Sequence, residues 1–268
     1  MKNFTIIKIF FFSILLYSKS YSQNSGELVY TSINKLNNYL EEKYILSFND
    51  NLSLFTLKER EVSSKIKTDE TETEITISNK YPDSLAPKYF INSINNEILY
   101  SKPISNDDFK TFKNYNINEK LILDWVIQDD SIIISNIKCQ KATLNFRGRN
   151  YTAWFSTEHN IPFGPFKFYG LPGLIIQIQD DRKEVFFSLN SINLKQTDVK
   201  KNFDKFNKNV FIDLIKFNNI QNKATIDSQD EFQRNLQSKL GRGATIKVVK
   251  TQNFNIELNF DDLLVVKK

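Results

Sequence analysis

Four of the seven glycines and three of the six prolines fall within residues 148–173, GRNYTAWFSTEHNIPFGPFKFYGLPG. The rest of the chain nearly avoids both residue types. Glycine permits positive φ or a close backbone approach, and proline fixes φ and removes a donor. A stretch this rich in both must be a set of tightly defined turns. The hydrophobic run Leu174-Ile175-Ile176-Gln177-Ile178 follows directly. The segment therefore reads as a sharp corner between strands, and the chain around it as a meander bent at that corner.

Alternation supports the meander. Gly26 to Ile33 reads as a strand. Tyr44 to Phe48 and Leu52 to Leu57 flank Asn49-Asp50-Asn51, a hairpin signal. Residues 59–74 are polar and acidic and read as a long exposed loop, as does Tyr81-Pro82 to Pro87. From Glu97 strands are expected at Ile98–Ile104, Leu121–Gln128, Ser131–Phe146 and Asn150–Thr157, with turns at Asp129-Asp130-Ser131 and Arg147-Gly148-Arg149. Leu174–Gln179 and Val185–Leu189 flank a further turn at Asp180–Lys183. Successive antiparallel strands joined this way form a meander.

Two segments change period. Val199, Phe203, Phe206, Val210, Leu214 and Phe217 recur at helical spacing over 199–217. Residues 229–240 carry Phe232, Leu236 and Leu240 on one face, with Ser228 and Glu231 as a capping box and Gly241 as a stop. Ala244 to Val266 returns to strand-like alternation. The expected fold is mainly β, a β-rich α+β chain. Its sheet is antiparallel and strongly curved, or a half-barrel meander, with one or two packed helices. By fold analogy alone it resembles the lipoprotein-carrier half-barrels, and such analogy does not fix function.

Residues 1–22 read as a signal peptide ahead of one domain spanning 23–268. Lys2 precedes the apolar run Phe4–Tyr17, and Ser20-Tyr21-Ser22 supplies small residues before a cut at Gln23. The run is shorter than the roughly 20 residues that span a bilayer. No later segment is long and apolar enough for a transmembrane helix, so the expected product is periplasmic or secreted and soluble after cleavage. The formal charge of +5 falls to about +2 when Lys2, Lys8 and Lys19 leave. Basic residues are interspersed with acids, which argues against a nucleic-acid footprint.

Cys139 and His159 are the only residues of their kinds. An intrachain disulfide is excluded, and so is a zinc site built from three or four His and Cys ligands. No cofactor and no metal are expected. With the turn centred on Gly148, Cys139 lies opposite Thr157 and near His159, so a Cys–His dyad is one reading; a buried, inert thiol is the other. Asp180 and Asp181 are neighbours on a turn and poor partners for acid–base work. Leu171-Pro172-Gly173-Leu174 fits a type II turn, with proline at i+1 and glycine at i+2. Trp154, Phe163, Phe166, Phe168 and Tyr169 form either an aromatic binding ridge or the filling of the corner.

These residues carry a resemblance. Cys139-Gln140-Lys141-Ala142, then Gly148, Arg149, Tyr151, Ala153-Trp154-Phe155, Ile161-Pro162, Gly164-Pro165 and Gly170-Leu171-Pro172-Gly173-Leu174-Ile175 resemble the GLPGLI family of exported Bacteroidetes proteins. The likeness covers about residues 138–180. It implies an exported, β-rich protein and supplies no catalytic residues. The resulting expectation is a non-enzymatic envelope protein that binds an apolar ligand or a partner's segment in the concavity of its sheet. The alternatives are an accessory interaction subunit of an outer-membrane complex, and a periplasmic hydrolase or peptidase using Cys139 and His159.

Overall fold

A computed structural model describes residues 25–34, 40–60, 85–105, 111–240 and 257. The expected signal peptide, the loop over 61–74 and the strand-like tail lie outside the described residues, Glu257 excepted. Twelve strands form one open sheet: β1 (Ser25–Asn34), β2 (Leu40–Asn49), β3 (Leu52–Arg60), β4 (Lys88–Asn92), β5 (Glu97–Ser105), β6 (Phe112–Lys120), β7 (Val126–Ile134), β8 (Ile137–Phe146), β9 (Arg149–Ser156), β10 (Leu174–Asp180), β11 (Val185–Leu194) and β12 (Ile212–Asp213). The helices are α1 (Val199–Phe206) and α2 (Leu214–Leu240). The spatial order is β12-β6-β5-β4-β3-β2-β1-β11-β10-β9-β8-β7. Two meanders, β1–β6 and β7–β11, thus join where β1 pairs with β11. Every pairing is antiparallel except that of β12 with β6.

The sheet is strongly curved. Glu119 on β6 and Arg147, at the end of β8, lie near opposite ends of the strand order. Their side chains nevertheless meet at 2.5 Å. The concave face carries Leu28, Tyr30, Leu46, Phe55, Ile91, Ile98, Tyr100, Ile117, Leu144, Tyr151, Phe155 and Ile178, all buried in one core. Alternation along the strands puts these residues on one face. Tyr30 Oη donates to Ile175 O at 2.7 Å, and burial raises its pKa well above the ordinary phenol value.

Several boundaries differ from the sequence reading. Strands β4 and β6 were not expected. Glu59 and Arg60 end β3 rather than open a loop. Asp129-Asp130-Ser131 is not a turn: β7 runs through it, and the chain reverses at Ser135-Asn136. Both of those residues have positive φ, 49° and 64°, which suits a two-residue hairpin turn. Accordingly, Leu121–Trp125 lies outside any strand. At the next hairpin Arg147 and Gly148 alone form the turn, with φ 51° and 79°. The register then pairs Gln140 with Phe155, one step from the alignment that would set Cys139 opposite Thr157.

The helix readings also change. The 199–217 stripe is interrupted: α1 ends at Phe206, Val210 is exposed, and β12 intervenes. Asp213 Oδ1 accepts from Lys216 N at 2.7 Å and caps the start of α2. That helix continues through Ser228 and Glu231, so the capping box there starts no helix. The helices also take different faces. Val199 and Phe203 of α1 are buried, and Phe203 and Phe206 pack on Phe90 and Leu99. Those residues alternate with Tyr89, Ile91, Ile98 and Tyr100, so α1 covers the outer face and does not bound the concavity. Leu214 and Phe217, at the start of α2, join the inner core.

Candidate functional site

The glycine- and proline-rich corner folds into the concavity. Residues 157–173 link β9 to β10 and turn inward as a small hairpin. Phe163 bridges Tyr169, Gly170 N donates to Pro162 O at 2.8 Å, and Phe168 N donates to Pro165 O at 3.1 Å. Phe166 stands at the tip with φ 57°. A bulky residue in the left-handed region is strained by about 1–3 kcal/mol, so surrounding packing must hold it there. Its neighbours do so. Phe166 meets Tyr89 edge-on at 5.0 Å between ring centroids, and Phe168 meets Tyr151 at 4.8 Å. Phe163, Phe166, Phe168 and Tyr169 are all buried, and Trp154 is half-buried against the core. The four hairpin aromatics form a plug, not an exposed ridge, and Trp154, out of phase with the inward Ala153 and Phe155 of β9, is not part of it.

The strained tip delivers Lys167 to the centre of the molecule. Its ammonium is fully buried and donates to Glu119 Oε2 at 2.7 Å, Glu257 Oε1 at 2.8 Å and Tyr100 Oη at 3.3 Å. Three donors thus meet three acceptors. Arg147 Nη2 reaches Glu119 Oε1 at 2.5 Å, and Arg147 Nε lies 3.6 Å from Glu257 Oε1. Burial opposes the Lys167 charge, but Glu119 and Glu257 outweigh it and hold the ammonium above its ordinary pKa. Burial likewise opposes the Glu257 carboxylate. Lys167, Lys102 and Arg147 outweigh it and hold that carboxyl below its ordinary range. Beside this cluster Trp125 Nε1 donates to Tyr169 O at 2.9 Å, and Tyr169 Oη donates to Leu121 O. Burial pushes the Tyr169 phenol up to about 12.

The Glu257 shift has a pH signature. A carboxyl whose pKa is lower folded than unfolded contributes stability above its unfolded pKa, and loses it as pH falls through the folded one. Stability should therefore fall below about pH 4, and Glu257→Gln should flatten that acid limb relative to wild type. Denaturant midpoints measured from neutral to acid pH check this. Parallel limbs would remove Glu257 from the balance.

A second buried ion cluster explains part of the motif. Arg149 Nη1 reaches Asp180 Oδ2 at 2.6 Å and Glu184 Oε2 at 2.5 Å. Asp180 Oδ1 in turn accepts from the backbone N–H of Glu184 and Val185, both at 2.8 Å. Asp180 is thus committed to pinning the β10–β11 turn. Asp181 is exposed and accepts from Asn150 Nδ2 at 3.1 Å. The two aspartates share no site.

Cys139 is buried in the core, and its thiol contacts Ile137 O at 3.4 Å. Burial raises the thiol pKa, and the nearby Glu158 adds to the shift. His159 is half-buried. Its Nδ1 has no partner among the described residues, while its backbone oxygen accepts from Ile161 N and Leu174 N. Nothing in this arrangement activates the thiol. Native protein should react slowly with a thiol reagent and unfolded protein fast. Rapid native labelling would restore the dyad. Among the described residues, no three His, Cys, Asp or Glu side chains are grouped to hold a metal, and no helix is long and apolar enough to cross a membrane.

Of the two readings of the aromatics, a binding ridge or the filling of the corner, the buried positions of Phe163, Phe166, Phe168 and Tyr169 fit the second. The charges at the plug's centre, Lys167, Glu119, Arg147 and Glu257, are not legible as a cluster in the sequence, where Arg147 reads only as a turn residue. One signal was present: Lys167 stands between Phe166 and Phe168 in an otherwise apolar corner.

No family model and no curated protein matches this chain. Among solved structures it is similar to PNGF-II in two crystal forms, each at 14% identity and 75% coverage of this chain. The TM-scores are 0.48 and 0.46, and the match covers 34% and 33% of the PNGF-II chain. The chain thus spans about one third of PNGF-II. An uncharacterized conserved protein from Thermus thermophilus is similar at 7% identity and a TM-score of 0.33, over 71% of this chain and 92% of that one. At these values the likeness assigns no function.

Proposed function

We propose that this chain is an exported, non-enzymatic interaction protein of the GLPGLI type, acting as an accessory subunit that binds through its surface. The motif over 138–180 supports the family and the export. The observation that favours surface over interior binding is the plug. Phe163, Phe166, Phe168 and Tyr169 occupy the concave face where an apolar cargo would sit, and Lys167 fills its centre with satisfied charge. Small-molecule sites are concave and mostly apolar, with few polar groups. A face closed by its own side chains favours a protein partner over an acyl chain. The buried thiol with a raised pKa argues in the same direction against the hydrolase alternative.

The test uses the full chain expressed with its own N-terminus. The purified product should begin at Gln23 and give a ligand-free native mass. It should not bind a fluorescent fatty-acid probe. Stoichiometric lipid in the native mass would return the carrier reading. Peptide or ester hydrolysis abolished by Cys139→Ser would return the enzyme.

A further inference from the structure

Exposed apolar residues cluster along one border of the sheet. Val126, Ile127, Ile132 and Ile133 lie along it and Ile122 just ahead of it, with Ile133 74% exposed and Ile122 70%. The border is β7, the last strand in the spatial order, paired among the described residues only with β8. Such an edge presents free N–H and C=O groups to any extended chain. Ser131, Ile132, Ile133 and Lys138 line a shallow hollow of about 530 Å³ beside it.

The charge on this edge discriminates between occupants. Ile127 pairs with Ala142 and Ser131 with Gln140, so Gln128, Asp129 and Asp130 bulge opposite Lys141 alone. Asp130 meets Lys141 at 3.2 Å, and Gln140 Nε2 holds Gln128 O at 2.9 Å. Asp129 is exposed and has no partner among the described residues; Asp124 is likewise exposed. A second copy pairing antiparallel across the bulge would set these acids against themselves, which is destabilising. Bulges and edge charges are also what keeps sheet edges from pairing with their own kind. The uncovered apolar stretch Ser131–Ile134 remains open to a chain of opposite charge.

We propose that β7 accepts an extended segment of a partner protein as a thirteenth strand. The segment would be apolar at alternate positions on the face that carries Ile133, the more exposed of the two, and would carry a lysine or arginine near Asp129. This rests on the interaction reading above and names its surface and partner chemistry. The edge supplies main-chain hydrogen bonds, and the alternate side chains supply selectivity.

The probes are two ten-residue peptides of alternating valine and threonine, one with a lysine at each end and one with glutamates. The lysine peptide should bind about fivefold tighter, the factor one favourable cross-strand charge pair supplies. The preference should collapse at about 1 M salt. Amide shifts on binding should map to 126–138. The double variant Ile132→Thr, Ile133→Thr keeps strand propensity and should lose binding at an unchanged Tm. Ile94→Thr, an exposed isoleucine on the β4–β5 turn, should bind as wild type. Full binding by the double variant, shifts elsewhere, or no binding of either peptide at millimolar concentration would each overturn the β7 proposal. If the double variant still retains a stoichiometric protein partner that wild type retains, the edge assignment fails and the accessory role stands.

Discussion

Lys167→Met should destabilise the protein by about 3–5 kcal/mol, the cost of breaking a buried ion pair from one side. The methionine fills similar volume, so little of this is a packing loss. Glu119 and Glu257 would instead face each other and Tyr100 without the ammonium that now lies 2.7 Å and 2.8 Å from them. Arg147 remains within reach of both, and the loss should sit at the lower end if it takes over the vacated contacts. Urea denaturation of Lys167→Met, Glu119→Gln and the double variant separates the causes. If buried charge is the source, the double variant should be more stable than the sum of the single losses implies, because removing both partners leaves less uncompensated charge. Strict additivity, or a Lys167→Met loss under about 1 kcal/mol, would show that water reaches the cluster and that the plug does not seal it.

The cluster also marks the limit of what was legible. Strands β1–β3, β5 and β9–β11 were readable because apolar residues alternate there and turn formers bound them, whereas the single strand expected over Ser131–Phe146 is divided between β7 and β8 by the turn at Ser135-Asn136. Strand β6 was not readable. Phe112-Lys-Asn-Tyr-Asn-Ile-Asn-Glu-Lys is rich in asparagine and charge, both depleted in strands. Its inward face does alternate, with Ile117 followed by Glu119, but a glutamate in an apolar slot hides the pattern. That slot makes sense only with Lys167, 48 residues away, and Arg147, 28 residues away. The same holds for Glu257, 90 residues beyond Lys167. Local sequence carries no record of partners so distant. The isoleucine run of β7 misled in another way. Asp129-Asp130 reads as a turn by composition, but Ile132 to Ile134 extend the strand and the positive-φ pair Ser135-Asn136 supplies the real reversal. The 199–217 stripe failed because Val210 falls at a break between elements, not on a helix face.

Gly173 should tolerate no side chain, for a reason that differs from the one its sequence suggests. Leu171-Pro172-Gly173-Leu174 reads as a type II turn, which would place Gly173 at positive φ. Positive φ in this segment falls instead on Gly170, at 90°, and Gly173 is not in the left-handed region. What Gly173 meets is backbone. A Cβ added there would overlap Ser156 O, stand 2.8 Å from the Ser156 carbonyl carbon and 3.1 Å from Thr157 Cα. Ser156 ends β9 and pairs with Leu174, so its carbonyl is fixed by the ladder and cannot give way. Forcing a methyl into such a contact costs about 1–3 kcal/mol and at times more. The two accounts separate on asparagine. Asparagine accepts the left-handed region, so a type II turn would tolerate Gly173→Asn far better than Gly173→Val. Close approach forbids any Cβ, so Gly173→Ala, Gly173→Asn and Gly173→Val should all lower Tm severely. Gly170 has open space around its missing Cβ but a positive φ, and there the variants should separate: Gly170→Asn mild, Gly170→Val costly. At about 2–4 °C of Tm per kcal/mol for a domain of this size, thermal melts of the five variants resolve the difference. A mild Gly173→Asn would put the turn back in place of the close approach. A severe one would show why this corner is written with glycine at both positions: Gly170 for its φ, Gly173 to let the plug's exit strand lie against β9.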